Sequence, residues 1–232
     1  MLNLENFFSN CNVDYVKDVD QWHELRGKGI GGSDAGIVMN VSQYRTPYEL
    51  WEEKSGKAKR EFITNEAIEK GNKLEPIMFN LFKTLYSSKY EVIDTKDISL
   101  SSKQFPFLRA NLDGALINKQ TGQKGVLEIK SSTIQNASML KKWRKDDLPI
   151  TYYFQVLHYL YVTGFDFAIV YAILDIPWEN KQETRVIKMY REDLEADIEY
   201  LIKTELWFWD KVKTNTPPPF LENRNLELKE VN

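Results

Sequence analysis

The amino-acid sequence predicts an α/β fold in which a mixed central sheet is flanked by helices. Two short apolar segments, residues 112–117 and 126–130, are separated by a segment that contains Asn, Thr and two Gly. That pattern is typical of two strands joined by a turn. Three longer segments, residues 64–87, 151–163 and 191–213, have the length and apolar content of packed helices. Strands and helices of this kind in one chain favour the α/β class.

The composition is that of a folded domain of ordinary size. The chain has 232 residues, of which 42% are hydrophobic and 28% are charged, so a packed core is predicted and disorder is not. We find no internal repeat and no linker. The prediction is therefore one domain over residues 1–232, with a helical region at about 20–60, a core at about 64–190 and a closing helix at about 191–214.

Cysteine content, charge and hydropathy exclude several classes of protein. Cys11 is the only cysteine, which excludes an internal disulfide, a cysteine zinc cage and a four-cysteine iron–sulfur cluster. The net charge of −3 counts against a uniformly basic DNA-binding surface, although bases cluster at residues 54–60 and 141–145. No long apolar segment or signal-peptide pattern is visible, so we expect a cytoplasmic protein without a membrane partner.

The first elements of the chain surround a glycine-rich segment. Residues 1–19 show no clear periodicity, and a short helix is predicted to end near residues 22–26. Residues 27–32 contain G-x-G-x-x-G, but no strand is predicted before them, so we reject a dinucleotide site. Ser33 or Asp34 is predicted to cap a helix over residues 35–40. A helix N-terminus approached by glycines is a phosphate-binding arrangement, and an ordinary capped helix fits the pattern equally well.

Two further helices are predicted before the central strands. Thr46 and Glu49 form a capping box around Pro47, and Gly56 ends that helix. The long helix over residues 64–87 contains Pro76, which we expect to kink it. Beside Pro76 lies Glu75, which on spacing alone is a solvated helix carboxylate. Strands are predicted next, at residues 90–93 and 98–100.

Three charged residues of the central strands are predicted to lie together. Side chains alternate along a strand, so Glu128 and Lys130 share one face, and a hairpin brings Asp113 towards Glu128. Two neighbouring carboxylates repel each other unless a cation lies between them. The pattern therefore favours a divalent-metal site in which Lys130 assists. A surface hairpin with a salt bridge is the alternative, and D…ExK spacing is common by chance.

The remaining segments predict a basic helix or loop, one buried helix and two strands. Residues 137–145 are predicted to form a basic helix or loop, which would border DNA in a DNA-binding protein and is otherwise a solvated face. In the helix over 151–163, Gln155 and Tyr159 lie one turn apart on one face. A buried amide needs partners, which carboxylates or a DNA phosphate would supply, whereas His158 is interpreted as a packing residue. Two more strands are predicted, at residues 167–174 and 185–189.

The core motif resembles that of the PD-(D/E)xK nuclease superfamily. Asp113 followed by Glu128-Ile129-Lys130 matches it, with Leu112 in place of the proline. Further segments resemble one branch, the lambda-exonuclease or YqaJ-like phage recombinases, and they occur in that family's order between about residues 20 and 175. These segments are residues 22–26 (WHELR) with 31–34 (GGSD), 46–51 (TPYELW), 71–76 (GNKLEP) and 155–159 (QVLHY).

The resemblance implies a restriction-endonuclease-like core and a Mg²⁺-dependent DNA exonuclease, with Mn²⁺ as a substitute metal. It implies 5′-to-3′ digestion of linear double-stranded DNA from its ends, to leave single-stranded tails for recombination by strand annealing. It also implies a ring-shaped homotrimer, a single-strand annealing protein as partner, and a phage or prophage gene expressed in a bacterial host.

The resemblance also assigns roles to individual residues. The implied metal ligands are the side chains of Asp113, Glu128 and Glu75 and the backbone carbonyl of Ile129. Lys130 is the residue that orients the attacking water. The remaining assignments are Gln155, which holds that water or a carboxylate, and the phosphate-contacting residues Arg26, Ser33 and Arg45.

Two other functions remain compatible with the sequence. One is a structure-specific or restriction-type endonuclease on the same core. The other is a DNA-binding module that keeps the fold without cleaving, which the presence of Asp113, Glu128 and Lys130 argues against.

Overall fold

The computed structural model describes residues 2–59, 65–143 and 147–220, and helices pack around and between its two sheets. The helices are α1 (Leu4–Phe7), α2 (Val19–Gly27), α3 (Gly32–Val38), α4 (Pro47–Lys54), α5 (Glu66–Leu85), α6 (Ala137–Lys141), α7 (Ile150–Thr163) and α8 (Glu195–Lys213). The strands are β1 (Cys11–Tyr15), β2 (Ile30–Gly31), β3 (Tyr90–Ile93), β4 (Ile98–Ser102), β5 (Leu108–Ala110), β6 (Gly114–Asn118), β7 (Lys124–Thr133), β8 (Phe167–Ile176) and β9 (Lys181–Tyr190).

The larger sheet has five strands in the order β3-β6-β7-β8-β9. Strands β7 and β8 are parallel, with Gly125 opposite Phe167 and Thr133 opposite Asp175, and the other pairs are antiparallel. The predicted mixed central sheet is therefore confirmed. The predicted hairpin is its β6–β7 pair, which places the D…ExK residues in the middle of the sheet.

A second sheet of four strands, in the order β1-β4-β5-β2, was not predicted. Residues 1–19, for which the sequence showed no clear periodicity, contain α1 and β1. The physical reason is that β1, β2 and β5 have only five, two and three residues. Strands this short carry too few alternations for a period to be recognised, and they are held by pairing with distant segments.

Helix α7 is buried on most of its surface because it packs against both sheets. It contacts β4 and β5 of the smaller sheet, β7 and β8 of the larger one, and helices α3 and α8. Its residues Val156, Leu157 and Leu160 are fully buried in the main hydrophobic core. This confirms the burial predicted from aromatic residues nearly all round the helix.

Helix α5 covers the opposite face of the larger sheet. Met78 and Phe82 pack in a second core with Leu127 and Ile129 of β7, the two side chains that alternate with Glu128 and Lys130 along the strand. Strand β7 thus has an apolar face towards α5 and a charged face towards α7. None of the helices in the described ranges is long and apolar enough to cross a membrane.

Several predicted helix ends are confirmed by their caps. The Thr46 hydroxyl accepts the Glu49 N–H at 3.3 Å, and the Glu49 carboxylate accepts the Thr46 N–H at 2.6 Å. Gly56 and Gly164 follow α4 and α7 with φ of +77° and +67°, the left-handed conformation that glycine adopts without strain. The predicted start of α5, Thr64, lies outside the described residues.

A buried ion pair joins α7 to α8. The Nδ1 atom of His158 lies 2.9 Å from Oε1 of Glu205, and its Nε2 lies 2.8 Å from the carbonyl oxygen of Arg109. Because both partners are acceptors, both ring nitrogens carry hydrogen. Burial alone would lower the His158 pKa, but Glu205 raises it above its ordinary value. His158 is thus a packing residue with satisfied polar atoms, as predicted.

This pair makes the stability of the fold depend on pH. A histidine whose pKa is raised by folding contributes stability that is full below its unfolded pKa of about 6.5 and is lost as pH rises through the folded pKa. We expect Glu205→Gln to lower the unfolding free energy by about 3 kcal/mol or more near pH 6. Urea denaturation from about pH 6 to 9 should show this difference shrinking. Glu199→Gln, an exposed change on the same helix, is the control, and a difference independent of pH would contradict the assignment.

Candidate metal and phosphate site

The site forms where β7 loses one of its neighbours. Strand β6 pairs with β7 only as far as Gly114 opposite Leu127, so the following residues of β7 have a free edge. The Ile129 N–H on that edge donates to Oδ2 of Asp113 at 2.7 Å. A carboxylate thereby takes the place of a backbone acceptor, which fixes Asp113 beside the ExK segment.

The charged face of β7 is closely packed. Nζ of Lys130 lies 2.5 Å from Oε1 of Glu128, and the same oxygen accepts a hydrogen bond from Nε2 of Gln155 at 2.7 Å. Gln155 also donates to the Tyr159 hydroxyl at 3.2 Å, which in turn donates to the Asn111 carbonyl at 2.8 Å. The predicted trio of Asp113, Glu128 and Lys130 is thus brought together, and α7 braces it.

The carboxylates of the site are held in a strongly unfavourable environment for negative charge. Burial raises the pKa of Asp113. Burial and the charge of Asp113 raise the pKa of Glu128 to about 8. The pKa of Glu75 is raised to about 7 by partial burial of its carboxyl group and by Asp113, although Glu75 as a residue is exposed. Glu75 therefore lies within electrostatic reach of the pair, at the solvent side.

For Lys130, the same surroundings favour the charged form of the side chain. Burial would lower its pKa, but Glu128 and Asp113 raise it above its ordinary value. The ammonium group is therefore charged throughout the physiological pH range. A lysine in this state donates hydrogen bonds and offsets negative charge, and it does not act as a base.

The oxygen atoms of the site match in part the ligands that a hard divalent cation requires. Oε2 of Glu128 is buried without a hydrogen-bond partner, and an uncompensated buried carboxylate oxygen is the kind of ligand that Mg²⁺ prefers. Within the described ranges, no three His, Cys, Asp or Glu side chains are gathered into a complete metal cage. Asp113, Glu128 and the Ile129 carbonyl would hold the ion, with Glu75 acting from the solvent side.

A second cluster occupies the glycine-rich segment. The Arg26 guanidinium donates to the Ser33 hydroxyl and lies over the Trp22 ring, 4.9 Å from its centroid. The predicted phosphate ligands Arg26 and Ser33 are thus in contact. Nε of Arg26 is buried without a partner, so the group keeps an unused donor.

The predicted cap of α3 was partly wrong. The helix begins at Gly32, and Asp34 lies inside its first turn, where its Oδ2 accepts the Gly31 N–H at 3.0 Å. Ser33 does not cap the helix, because Gly31 is the N-cap residue and Ser33 lies inside the helix; its hydroxyl accepts from Arg26. A two-residue strand, β2, does precede the helix, but no βαβ unit follows.

Lys54 is the residue of this cluster that sequence reasoning missed. In the sequence it belongs to the cluster of bases at residues 54–60, but its side chain is 1% exposed and its Nζ lies 3.0 Å from Oδ2 of Asp34. It also donates to the Arg26 carbonyl at 3.3 Å. The sequence does contain one signal, because Asp34 lies in the first turn of a helix, and a carboxylate there needs a cationic partner when it is buried.

Arg45 lies apart from the contact between Arg26 and Ser33. Its guanidinium pairs with Glu53 at 2.7 Å and donates to the Glu49 carbonyl at 3.2 Å, so it is tied to α4. Its role in phosphate binding stays a prediction. Of the basic segment 137–145, residues 137–143 are described and include α6, whereas Arg144 and Lys145 lie outside the described residues.

Comparison with solved structures shows a similar fold in an alkaline exonuclease (LHK-Exo) from Laribacter hongkongensis. The TM-score is 0.61 at 17% identity, and the alignment covers 91% of this chain and 98% of that one. The structure of LHK-Exo in complex with dAMP has a TM-score of 0.62 at 17% identity, with 85% and 94% covered. At this identity the likeness concerns the fold, and it supports the predicted mixed α/β architecture.

Comparison of sequences identifies the family. The uncharacterized protein YqaJ of Bacillus subtilis (strain 168) is 32% identical over 203 residues, which cover 86% of this chain and 58% of that protein. The chain therefore spans little more than half the length of this curated relative. Residues 21–166 match the YqaJ-like viral recombinase domain. Because that match extends over more than half of the chain, the protein belongs to the family of YqaJ-like viral recombinase domains, as the sequence motifs predicted.

Proposed function

We propose that the protein is a divalent-metal-dependent DNA exonuclease that degrades linear double-stranded DNA from its ends. The observation that supports this most directly is the convergence of Asp113, Glu128, Lys130 and Gln155 at the free edge of β7. Family membership supports a role in viral-type recombination. The structural neighbour is an alkaline exonuclease, and one of its structures contains dAMP, a mononucleotide.

The reaction is hydrolysis of a phosphodiester bond, in which water attacks phosphorus and the ester oxygen leaves. When bound at Asp113, Glu128 and the Ile129 carbonyl, Mg²⁺ would offset the negative charge that develops on the phosphate and increase the acidity of the attacking water. Mn²⁺ fits the same oxygen ligands and is the proposed substitute.

The protein groups supply orientation and charge. Lys130, which stays protonated, donates to the attacking water and offsets charge in the transition state. Gln155 fixes the Glu128 carboxylate through its hydrogen bond of 2.7 Å, and Tyr159 fixes Gln155. Glu75 completes the site from the solvent side, directly or through water.

The Arg26 and Ser33 cluster is proposed to hold the phosphate at the DNA end. A planar guanidinium with an unused donor and a hydroxyl are suited to a phosphate. The cluster adjoins the N-terminus of α3, where backbone N–H groups favour anions. Arg45 would contact a neighbouring phosphate after release from Glu53.

The remaining parts of the proposal concern polarity and partners. They are 5′-to-3′ digestion, a ring-shaped homotrimer around the duplex, a single-strand annealing protein that receives the tails, and a phage or prophage origin with action in the bacterial cytoplasm. These parts rest on the family, and none is required by the geometry of the site in one subunit.

Product analysis on matched substrates tests the exonuclease assignment. With Mg²⁺, we expect a linearised plasmid to be degraded progressively from its ends while the covalently closed circle stays intact, because a ring of subunits is loaded only at an end. Gel electrophoresis of both forms over time is the measurement, and excess chelator should stop degradation. Rapid cutting of closed circles would favour the endonuclease alternative. Mass photometry of the same sample reports whether the assembly is larger than one chain.

Replacement of Lys130 tests the chemistry. Lys130→Ala should lower kcat by about 100-fold or more while DNA affinity is nearly unchanged, since its ammonium acts in the chemical step. Removing the partner of a buried carboxylate also risks destabilisation. Lys130→Gln, which keeps a donor for Glu128, is therefore the second variant and should be equally slow. Lys203→Ala, a surface lysine on α8, is the control. Near-normal cleavage by either Lys130 variant would show that Lys130 has only a structural role, as the ion-pair partner of Glu128.

Replacement of Arg26 tests the phosphate site. Arg26→Ala should weaken binding to DNA ends about equally for all sequences, and the dependence of affinity on salt should become shallower by roughly one counterion. Lys28→Ala, an exposed base on the segment after α2, is the matched control. Fluorescence anisotropy across a series of salt concentrations is the measurement. An altered sequence preference with an unchanged salt dependence would point to base recognition by Arg26.

A further inference from the structure

The ammonium group of Lys130 has a second neighbour besides Glu128. Its Nζ lies over the ring of Tyr152, 4.9 Å from the ring centroid, within the range of a cation–π interaction. Tyr152 belongs to the first turn of α7, and its N–H donates to the Pro149 carbonyl at 2.8 Å. The group is thus held between a carboxylate and an aromatic face.

The Tyr152 ring is itself supported from behind. It packs against Trp143, with ring centroids 5.7 Å apart. Trp143 is 2% exposed, and its carbonyl accepts a hydrogen bond from Arg185 of β9 at 3.2 Å. Tyr152 is therefore backed by a buried ring that is tied to the sheet, which limits how far it can move.

Tyr152 shares one face of α7 with the other residues that contact the site. Tyr152, Gln155 and Tyr159 are spaced three and four residues apart, which places them on one side of a helix. In that order they contact Lys130, Glu128 and the Asn111 carbonyl. Lys130 and Glu128, two positions apart on β7, thus meet residues that lie three positions apart on α7, and the two segments run in opposite directions along the contact.

A lysine needs such support when it acts in a chemical step. Its ammonium is carried on a stem with four rotatable bonds, so the β7 backbone alone does not fix its position. Small displacements of a catalytic group cost large factors in rate. The hydrogen bond to Glu128 restrains the distance from Nζ to the carboxylate oxygen. The Tyr152 ring restrains the direction in which the ammonium group points.

We propose that Tyr152 is a positioning residue that holds the Lys130 ammonium group in its catalytic place through its aromatic face. The inference rests on the proposed nuclease function for its kinetic consequence, but the contact itself is a property of the metal-free protein. In this proposal the aromatic ring of Tyr152 positions the ammonium group, and the phenol hydroxyl is not required.

The kinetic test compares two variants. Tyr152→Phe keeps the ring and should retain kcat within about threefold. Tyr152→Leu removes the ring and should lower kcat about tenfold, which corresponds to about 1.4 kcal/mol of activation free energy, with little change in KM. Tyr153→Leu is the matched control, because the neighbouring tyrosine points to Asp197 of α8. It should lose stability without a loss of kcat.

A spectroscopic test is independent of cleavage. The ε-methylene protons of Lys130, assigned by their disappearance in Lys130→Met, should be displaced upfield by the ring current of Tyr152 in the metal-free protein. The displacement should persist in Tyr152→Phe and be lost in Tyr152→Leu. If it persists without the ring, or if Tyr152→Leu keeps full kcat, the proposal is overturned. If the parent protein does not cleave DNA but shows the displacement, the proposed function fails while the contact stands.

Discussion

Burial of the Glu128 carboxylate is the constraint on which the rest of the site depends. The residue is 1% exposed, and taking a carboxylate out of water costs several kcal/mol unless nearby groups offset the charge. Lys130 and Gln155 both contact one of its oxygens, and the other has no partner. The compensation is therefore incomplete, which is why the pKa of Glu128 is raised to about 8. A site left in this state is suited to receive a cation, and the same exclusion of water would strengthen its interactions with the phosphate of the proposed substrate.

Some features of the site could be predicted from the sequence and others could not, and the difference has physical reasons. Strand alternation is local, so the common face of Glu128 and Lys130 was predictable from spacing, and the hairpin predicted the approach of Asp113. The bond from the Ile129 N–H to Asp113 was not predictable, because it depends on where β6 begins to pair. The ion pair of Lys54 with Asp34 joins two helices whose packing no periodicity specifies. The assignment of Glu75 came from the family pattern alone, and the structure places it in electrostatic reach of Asp113.

The Arg26–Ser33 cluster and the carboxylate site of β7 are connected through the packing of α3 on α7. A Cβ added at Gly32 would lie 2.4 Å from the Tyr159 ring, and one at Gly36 would lie 3.2 Å from Thr151. Glycines one turn apart therefore let α7 approach the N-terminus of α3 closely. Tyr159 also accepts a hydrogen bond from Gln155, so the segment that carries Ser33 packs against a residue that helps to fix the Glu128 partner. A side chain at Gly32 would disturb this packing, so the glycine-rich motif has a structural role in addition to the proposed approach of a phosphate.

The distribution of basic residues bears on how the proposed nuclease would remain on DNA. The side chains of Lys54 and Arg109 are 1% and 7% exposed and pair with Asp34 and Asp14, so these charges stabilise the fold and are withdrawn from the surface. With a net charge of −3, long-range attraction to DNA would be weak, and under the proposed function affinity would come from a few local phosphate contacts such as Arg26. With so few contacts, the proposed nuclease would release its substrate quickly after each cut. Repeated cutting would then require that the strand be kept near the site by geometry, which the proposed enclosing assembly would provide by raising the effective concentration of the strand.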